Sequence, residues 1–347
     1  MDDMSNKIRV LIIDDSAFIR VLLTEILQSD SQIEVIATAE DPLDAREKIK
    51  KYSPDVITLD VEMPKMDGIT FLKNLMRLRP MPVIMVSTLT QAGADTTIQA
   101  LEFGAFDFVE KPSTDVKSKL TSLAEELVEK IKAAAKCNTL ALEKNGTSKK
   151  SVYKLKTIQD NFEIIAIGAS TGGTEAIRDV ITRLPEGLPP IVMAQHIPDT
   201  FSTSYSKRLN TESKIQVREL RSASKLMRGF AYLAPGSHHL VVQRKNGELW
   251  ADIDDGEMVN RHKPSVDVLF NSIVDMKIER CLAVILTGMG KDGAKGMKNM
   301  RDLGCITVAQ DELSSVVWGM PGAAVALDAA QKILPLNKIA NFIVNSQ

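Results

Sequence analysis

Two sets of residues in this chain have the types and spacing of reaction chemistry. The first is acidic. Asp14-Asp15 follow the apolar run Ile8 to Ile13, Asp60 closes Val56 to Leu59, Ser87 follows Val83 to Val86, and Lys111-Pro112 follow the run Phe106 to Val109. Three carboxylates, a hydroxyl and an ammonium on one rim suit Mg²⁺, which takes one or two carboxylates and otherwise keeps waters and phosphate oxygens. With a cation offsetting the repulsion among carboxylates, Asp60 can accept a phosphoryl group, while Ser87 and Lys111 are placed to hold its oxygens. One Asp at a strand end is usually a helix cap. Residues of the right kinds at four strand ends argue against that reading here.

The second set is nucleophilic. Gly168-Ala169-Ser170-Thr171-Gly172-Gly173 joins the apolar run Ile164 to Ile167 to a helical stretch. That is G-x-S-x-G in a strand–turn–helix setting, where a tight turn exposes a serine hydroxyl and the helix N-terminus offers N–H groups to an oxyanion. Gln195-His196 follow the run Ile191 to Ala194, and Asp292 lies in Thr287-Gly288-Met289-Gly290-Lys291-Asp292-Gly293, after the run Cys281 to Leu286. Ser170, His196 and Asp292 then form a triad if the three strands are neighbours. The chain order serine, histidine, aspartate differs from that of the α/β-hydrolases, so the match to their elbow is a convergent one. Backbone N–H groups near Thr171 and Met289 are the candidate oxyanion donors.

Rival readings of the same residues are weaker. The glycine turn could cradle a phosphate, but it lacks both the G-x-G-x-x-G spacing and the lysine of a P-loop. A lone histidine is commonly a satisfied core residue, and Asp292 could simply cap the helix that begins at Ala294. His238 and His239 are adjacent and would face opposite sides of a strand, which disfavours a shared metal; they read as structural or rim residues.

The elements that must position these groups follow from the hydrophobic pattern. Five short apolar strands alternate with helices of ten or more residues in the first part, which implies a parallel sheet covered on both faces. A second alternating set starts at Phe162, with strands at Ile164 to Ile167, Ile191 to Ala194, Phe230 to Leu233, His239 to Val242, Cys281 to Leu286 and Ile306 to Ala309. It is interrupted by an expected hairpin at Lys245-Asn246-Gly247-Glu248. Between Ala133 and Thr157 the alternation stops and six lysines face Glu143 alone, a tether or a basic docking patch. The terminal stretch Asn341 to Gln347 carries no interpretable signal.

Composition bounds the rest. At 347 residues the prior is two domains, and 44% hydrophobic with 25% charged residues is an ordinary globular profile. A net charge of -2 gives no whole-chain basic footprint for nucleic acid, and the second half has no helix-turn-helix ending in a basic recognition helix. No apolar run approaches the roughly 18 residues of a membrane helix, and the acidic start is no secretory signal. Cys137, Cys281 and Cys305 form no C-x-x-C pair or even-numbered framework, so they are expected to be inert thiols in a reducing cytoplasm.

The first part resembles the receiver domain of two-component response regulators. The residues that carry this are Ile12-Ile13-Asp14-Asp15-Ser16, Leu59-Asp60-Val61-Glu62-Met63-Pro64-Lys65-Met66-Asp67-Gly68, Val86-Ser87 and Glu110-Lys111-Pro112. The resemblance implies Asp60 as phosphoacceptor and Mg²⁺ among Asp14, Asp15, Asp60 and the carbonyl of Glu62. It also implies phosphoryl contacts from Ser87 and Lys111, with Phe108 as an aromatic switch. The second part resembles the catalytic domain of the chemotaxis protein-glutamate methylesterases. This rests on Ile167 to Ile177, Gln195-His196, Leu233-Ala234-Pro235-Gly236, Asn260-Arg261-His262-Lys263-Pro264-Ser265-Val266-Asp267, Ile285 to Ala294 and Trp318-Gly319-Met320-Pro321.

Together the resemblances imply two doubly wound α/β domains. A flavodoxin-like receiver at 8–131 is joined by a basic linker at 132–160 to a Rossmann-like esterase domain at 161–345 that contains an antiparallel hairpin. They further imply a cytoplasmic, phosphorylation-activated hydrolase whose unmodified receiver covers the catalytic cleft. Its substrates would be γ-glutamyl methyl esters on chemoreceptor helices and particular receptor glutamines. The phosphodonor would be a chemotaxis histidine kinase, ester hydrolysis would need no cofactor, and the chain would be a monomer. A DNA-binding regulator and a non-catalytic scaffold are the alternatives from other classes.

Overall fold

The computed structural model describes residues 7–63, 67–88, 90–111, 117–137 and 162–346, and the chain divides into two compact units, Met1–Thr147 and Ser148–Gln347. Pro64-Lys65-Met66, Pro112 and residues 138–161, which hold most of the expected linker, lie outside the described residues.

In the first unit β1 (Ile8–Ile13), α1 (Ala17–Gln28), β2 (Ile33–Ala39), α2 (Pro42–Tyr52), β3 (Val56–Asp60), α3 (Gly68–Leu78), β4 (Val83–Ser87), α4 (Gln91–Glu102), β5 (Asp107–Glu110) and α5 (Lys117–Ala135) alternate. All strands are parallel, in the order β2-β1-β3-β4-β5. β3 and β4 are buried along their whole length, which is why they read as continuous apolar runs rather than alternating ones. Local chemistry sets the helix starts: Ser16 accepts a hydrogen bond from the Ile19 N–H, and Asp41 accepts from Leu43 and Asp44. α5 continues to Ala135, and Lys132 is tied to Asp30 at 2.6 Å, so the linker expected from residue 132 begins as helix.

The second unit holds β6 (Ile164–Ala169), α6 (Gly173–Ile181), β7 (Ile191–Gln195), α7 (Asp199–Glu212), β8 (Gln216–Glu219), β9 (Ser224–Lys225), β10 (Phe230–Leu233), β11 (His239–Lys245), β12 (Glu248–Asp254), α8 (Val266–Asp275), β13 (Cys281–Ile285), α9 (Ala294–Leu303), β14 (Ile306–Gln310), α10 (Met320–Ala326), β15 (Lys332–Leu334) and α11 (Leu336–Asn345). Seven strands form a parallel sheet in the order β15-β14-β13-β6-β7-β10-β8. The first strand in sequence, β6, sits centrally, with β13 on one side and β7 on the other. The topological switch point, where open α/β sheets bind ligands, is therefore the crevice between β6 and β13.

β11, β12 and β9 form a separate antiparallel sheet, so His239 to Val242 does not join the parallel set. The hairpin lies where the sequence put it: Lys245 pairs with Glu248, and Asn246 and Gly247 turn the chain at φ 53° and 83°. Leu240, Val242 and Ala251 of this sheet share a core cluster with Leu269, Phe270 and Ile273 of α8, and the Val242 N–H donates to Ser272 Oγ at 2.9 Å. The little sheet thus clamps α8, a helix that matters for the site.

One sequence expectation fails here. Cys281 and Cys305 are not separate thiols but a disulfide, with Cα atoms 5.0 Å apart. The reason is register: Leu282 pairs with Ile306, so Cys281, the first residue of β13, faces Cys305, which immediately precedes β14. Cys137 remains a free thiol, pushed up to about 11 by burial. The chain end is also structured, because Ile339, Ala340, Ile343 and Val344 form a buried stripe on α11. Among the described residues, no helix is long and apolar enough to cross a membrane.

Candidate active site

In the first unit, the switch point lies between β1 and β3, and the predicted acidic residues meet there. Asp14 and Asp60 are each 1% exposed, while Asp15 is exposed. Lys111 Nζ donates to Asp60 Oδ2 at 2.8 Å and lies 3.4 Å from Asp14 Oδ2. Asp60 Oδ1 accepts from the Glu62 N–H at 3.0 Å and Asp14 Oδ1 from the Ser16 N–H at 2.9 Å. Burial pushes the Asp60 carboxyl up to about 6, a rise that Lys111 opposes and Asp14 reinforces. Burial likewise raises Asp14. Such carboxylates need positive charge.

The donor set fits a hard divalent cation. Carboxylate oxygens of Asp14, Asp15 and Asp60 lie within 4.8 Å of one another, and buried Asp14 Oδ2 is met only by the Lys111 ammonium, 3.4 Å away. The Ser87 hydroxyl is buried and turned onto the carbonyls of Thr88 and Gly93, at 3.3 and 3.4 Å, rather than onto a carboxylate. Phe108 is buried, and Lys130 of α5 donates to its carbonyl at 2.5 Å.

In the second unit, Ser170 follows the last residue of β6 and His196 the last residue of β7. Ala169 pairs with Gln195, so the next residues on each strand, Ser170 and His196, are neighbours. The His196 N–H donates to the Ala169 carbonyl at 3.2 Å, and Gln195 Nε2 donates to the Ser170 carbonyl at 2.9 Å. His196 Nε2 lies 2.9 Å from Asp292 Oδ2. Its Nδ1 is buried with no partner, and no hydrogen bond joins Ser170 to the ring. Such bonds are often loose without substrate.

Glycine makes the turn. A Cβ at Gly168 would lie 2.2 Å from Val266 Cγ1, so only a bare backbone lets β6 lie against the start of α8. Gly172, at φ +73°, precedes the first residue of α6. On the other side of the serine, a Cβ at Gly288 would lie 2.8 Å from Ser170 Cβ. Thr287 laces this loop down: its carbonyl accepts the Ser170 N–H at 3.1 Å, and its hydroxyl donates to the Thr171 carbonyl at 3.0 Å. The Ser170 N–H is thus already committed. Thr171 and Met289 flank this junction, and Met289 is half-buried.

Asp292 does not cap the helix that follows it. Gly293 is the cap residue of α9 and makes no side-chain bond, while the Asp292 carboxylate sits at the N-terminus of α8. Its Oδ2 accepts from the Val266 N–H at 2.6 Å, and its Oδ1 from Ser265 Oγ at 2.8 Å and Asn260 Nδ2 at 2.7 Å. Burial alone would raise this carboxyl, but the bonds from His196, Asn260 and Val266 outweigh it and hold the group far below the usual carboxylate range. The α8 dipole acts in the same direction.

Three further histidines surround the pair, of which His262 had no role assigned from the sequence. The His262 ring stacks on His196, with centroids 3.7 Å apart and planes 16° from parallel. His239 Nδ1 accepts the Ser265 N–H at 3.0 Å, so Nε2 carries the proton that goes to the Glu257 carbonyl at 2.9 Å. That buried, neutral ring fixes the start of α8. His238 is half-exposed, with Nε2 3.9 Å from Asp255 Oδ1. The density of polar residues between Asn260 and Asp267, just before an apolar helix, was the available signal.

Residues 165–343 match the CheB methylesterase family and residues 10–123 the response regulator receiver domain. The chain is 52% identical over 341 residues to the protein-glutamate methylesterase/protein-glutamine glutaminase 2 of Saccharophagus degradans, covering 97% of this chain and 98% of that one. The chain belongs to the CheB methylesterase family. The Vibrio vulnificus relative, with the same printed name, is 50% identical, with 98% of both chains covered. The crystal structure of the Thermotoga maritima CheB methylesterase catalytic domain superposes with a TM-score of 0.52 at 34% identity, over 53% of this chain and 98% of that domain. Membership in the CheB family confirms the fold expectation, two α/β units with parallel sheets and a response regulator receiver in front.

Proposed function

We propose that this chain is a phosphorylation-controlled esterase of chemotactic adaptation. It removes methyl groups from γ-glutamyl methyl esters of chemoreceptor helices as methanol and deamidates particular receptor glutamines. Family membership makes the enzyme a protein-glutamate methylesterase and protein-glutamine glutaminase of the two-component class. The observation that carries the catalytic reading is the His196–Asp292 bond at Nε2, with an unpartnered Nδ1 in the ring next along the sheet from Ser170.

On this reading Ser170 Oγ attacks the ester carbonyl carbon while His196 Nδ1 takes the hydroxyl proton. Nδ1–H then gives that proton to the departing methoxide, so methanol leaves and an acyl-serine remains. Water attacks the acyl group with Nδ1 again as base, and Ser170 is released beside a new glutamate carboxylate. With a glutamine substrate the leaving group is ammonia. Asp292 keeps Nε2 protonated and balances the imidazolium, and the N–H groups of Thr171 and Met289 serve the oxyanion.

In the receiver, Asp60 accepts the phosphoryl group from a chemotaxis histidine kinase, with Ser87 and Lys111 holding its oxygens. Asp14, Asp15, Asp60 and the Glu62 carbonyl would hold Mg²⁺, whose chemistry there is charge neutralisation among the carboxylates. The cellular setting on this reading is the cytoplasm, and the working species is a monomer. The deciding experiment is methanol release from methylated receptor membranes, with and without acetyl phosphate. Release that rises with the phosphodonor supports the proposal; no release under either condition refutes it.

A further inference from the structure

The acid of the candidate triad has a neighbour that the reaction scheme leaves idle. Asp267, the second residue of α8, is 5% exposed, and its Oδ1 accepts the Gly296 N–H at 2.6 Å. Two buried carboxylates, Asp267 and Asp292, therefore share the start of one helix. Asn260 lies between them. Its Nδ2 donates to Asp267 Oδ2 at 2.8 Å and to Asp292 Oδ1 at 2.7 Å. An amide has two N–H bonds on that nitrogen, and here each goes to a different carboxylate. Chemistry also fixes the orientation of the amide, because its oxygen facing two carboxylates would be repelled.

The backbone narrows the choice of residue further. Asn260 has φ +53° within the tight turn Val259–His262, whose ends exchange hydrogen bonds in both directions at 2.9 and 3.1 Å. A left-handed backbone favours Gly, Asn or Asp. Two donors from one short side chain require an amide. Asparagine alone meets both demands. The same turn carries His262, whose ring lies on His196, so one four-residue element touches the acid and the base together.

We infer that Asn260 is a positioning residue for the esterase: by bridging Asp267 and Asp292 through its two amide protons, it holds the Asp292 carboxylate in line with His196 Nε2 against repulsion from Asp267. Burial and Asp292 raise the Asp267 carboxyl, while the Gly296 N–H, the Asn260 amide and Lys295 oppose the rise. Without the bridge, Asp292 rotates away from Asp267, the imidazolium loses its partner, and the base weakens.

The inference rests on the Ser170–His196–Asp292 reading, so Asp292→Ala is measured in parallel. The main variant is Asn260→Gly in the full chain, which keeps the left-handed backbone and removes only the amide. Rates are normalised to sites titrated by a serine-directed phosphonate. The expected result is a kcat lowered about 10- to 100-fold, the range for a hydrogen bond to a charged group, with KM within about twofold. The acid limb of kcat/KM moves to lower pH, and adding Asp267→Asn restores part of the loss. Asn260→Asp, of unchanged size, is the second variant. Its deficit shrinks as pH falls, because a protonated carboxyl regains one donor. A wild-type kcat and an unmoved acid limb in Asn260→Gly, with Asp292→Ala impaired, would overturn this inference alone. Full turnover in Asp292→Ala would instead overturn the triad reading.

Discussion

His196 meets Asp292 through Nε2, at 2.9 Å, and this leaves Nδ1 as the nitrogen available to a nucleophile. The familiar serine-protease arrangement uses the two nitrogens the other way round. Ring orientation here follows from the sheet: His196 hangs from the end of β7, and its acid arrives from the far side of β6, at the α8 N-terminus.

Ser170→Ala is therefore expected to abolish methanol release, with a loss of about 10³-fold or more. A fluorophosphonate should label Ser170 in the native chain, and His196→Gln should slow that labelling strongly. Peptide mapping of the adduct checks both. An adduct on another residue would remove Ser170 from the mechanism.

The pH dependence of stability should report Asp292. Its carboxyl is held below its ordinary value of 3.8. A depressed folded-state value contributes stability that is fully present above the unfolded value and is lost as pH falls through the folded one. Asp292→Asn should lower the urea midpoint at neutral pH, by an amount corresponding to about 1–3 kcal/mol for a disturbed buried hydrogen-bond set. That deficit should stay constant down to about pH 5 and narrow only below about pH 4. Parallel urea titrations across that range test it.

Lys111 is the cation between two buried carboxylates in the receiver. Lys111→Met should destabilise the metal-free chain, and adding Asp60→Asn should recover part of the loss, because one of the two charges has gone. Thermal melts in chelator-treated buffer measure this. Asp60→Asn should separately abolish both acid-labile phosphate uptake from acetyl phosphate and any stimulation of esterase by it.

Two glycines offer a matched comparison. Gly168→Ala forces a Cβ against Val266, whose N–H holds Asp292, and should cost about 1–3 kcal/mol with a clear loss of turnover. Gly247→Ala meets nothing within 4 Å and strains only its φ of +83°, so it should cost about 1 kcal/mol and leave turnover intact. Denaturation midpoints and initial rates on both variants distinguish packing from backbone strain.

Much of the site was legible because parallel sheets concentrate chemistry at the carboxyl ends of their strands. Asp14, Asp60, Ser170 and His196 each stand at the end of an apolar run, where a linear pattern suffices. Asp292 was legible as a polar residue in a glycine-rich loop, but not as the partner of α8, since that contact depends on how two helices pack. Asn260 and His262 sit on a left-handed turn that no periodicity reveals. The Cys281–Cys305 bridge hid for a related reason: it becomes visible only once β13 and β14 are in register. The stripe Ile339, Ala340, Ile343 and Val344 was readable at helical spacing, and only its position at the chain end disguised it.

The central place of β6 has a consequence for biosynthesis. The strand that leads into Ser170 is the first of its unit to leave the ribosome, yet one of its two neighbours, β13, ends at Ile285, and Asp292 follows later still. A nascent or prematurely terminated chain shorter than that presents a serine with no acid behind its base. On the proposed Ser170–His196–Asp292 triad, hydrolytic competence is withheld until translation has passed the loop after β13.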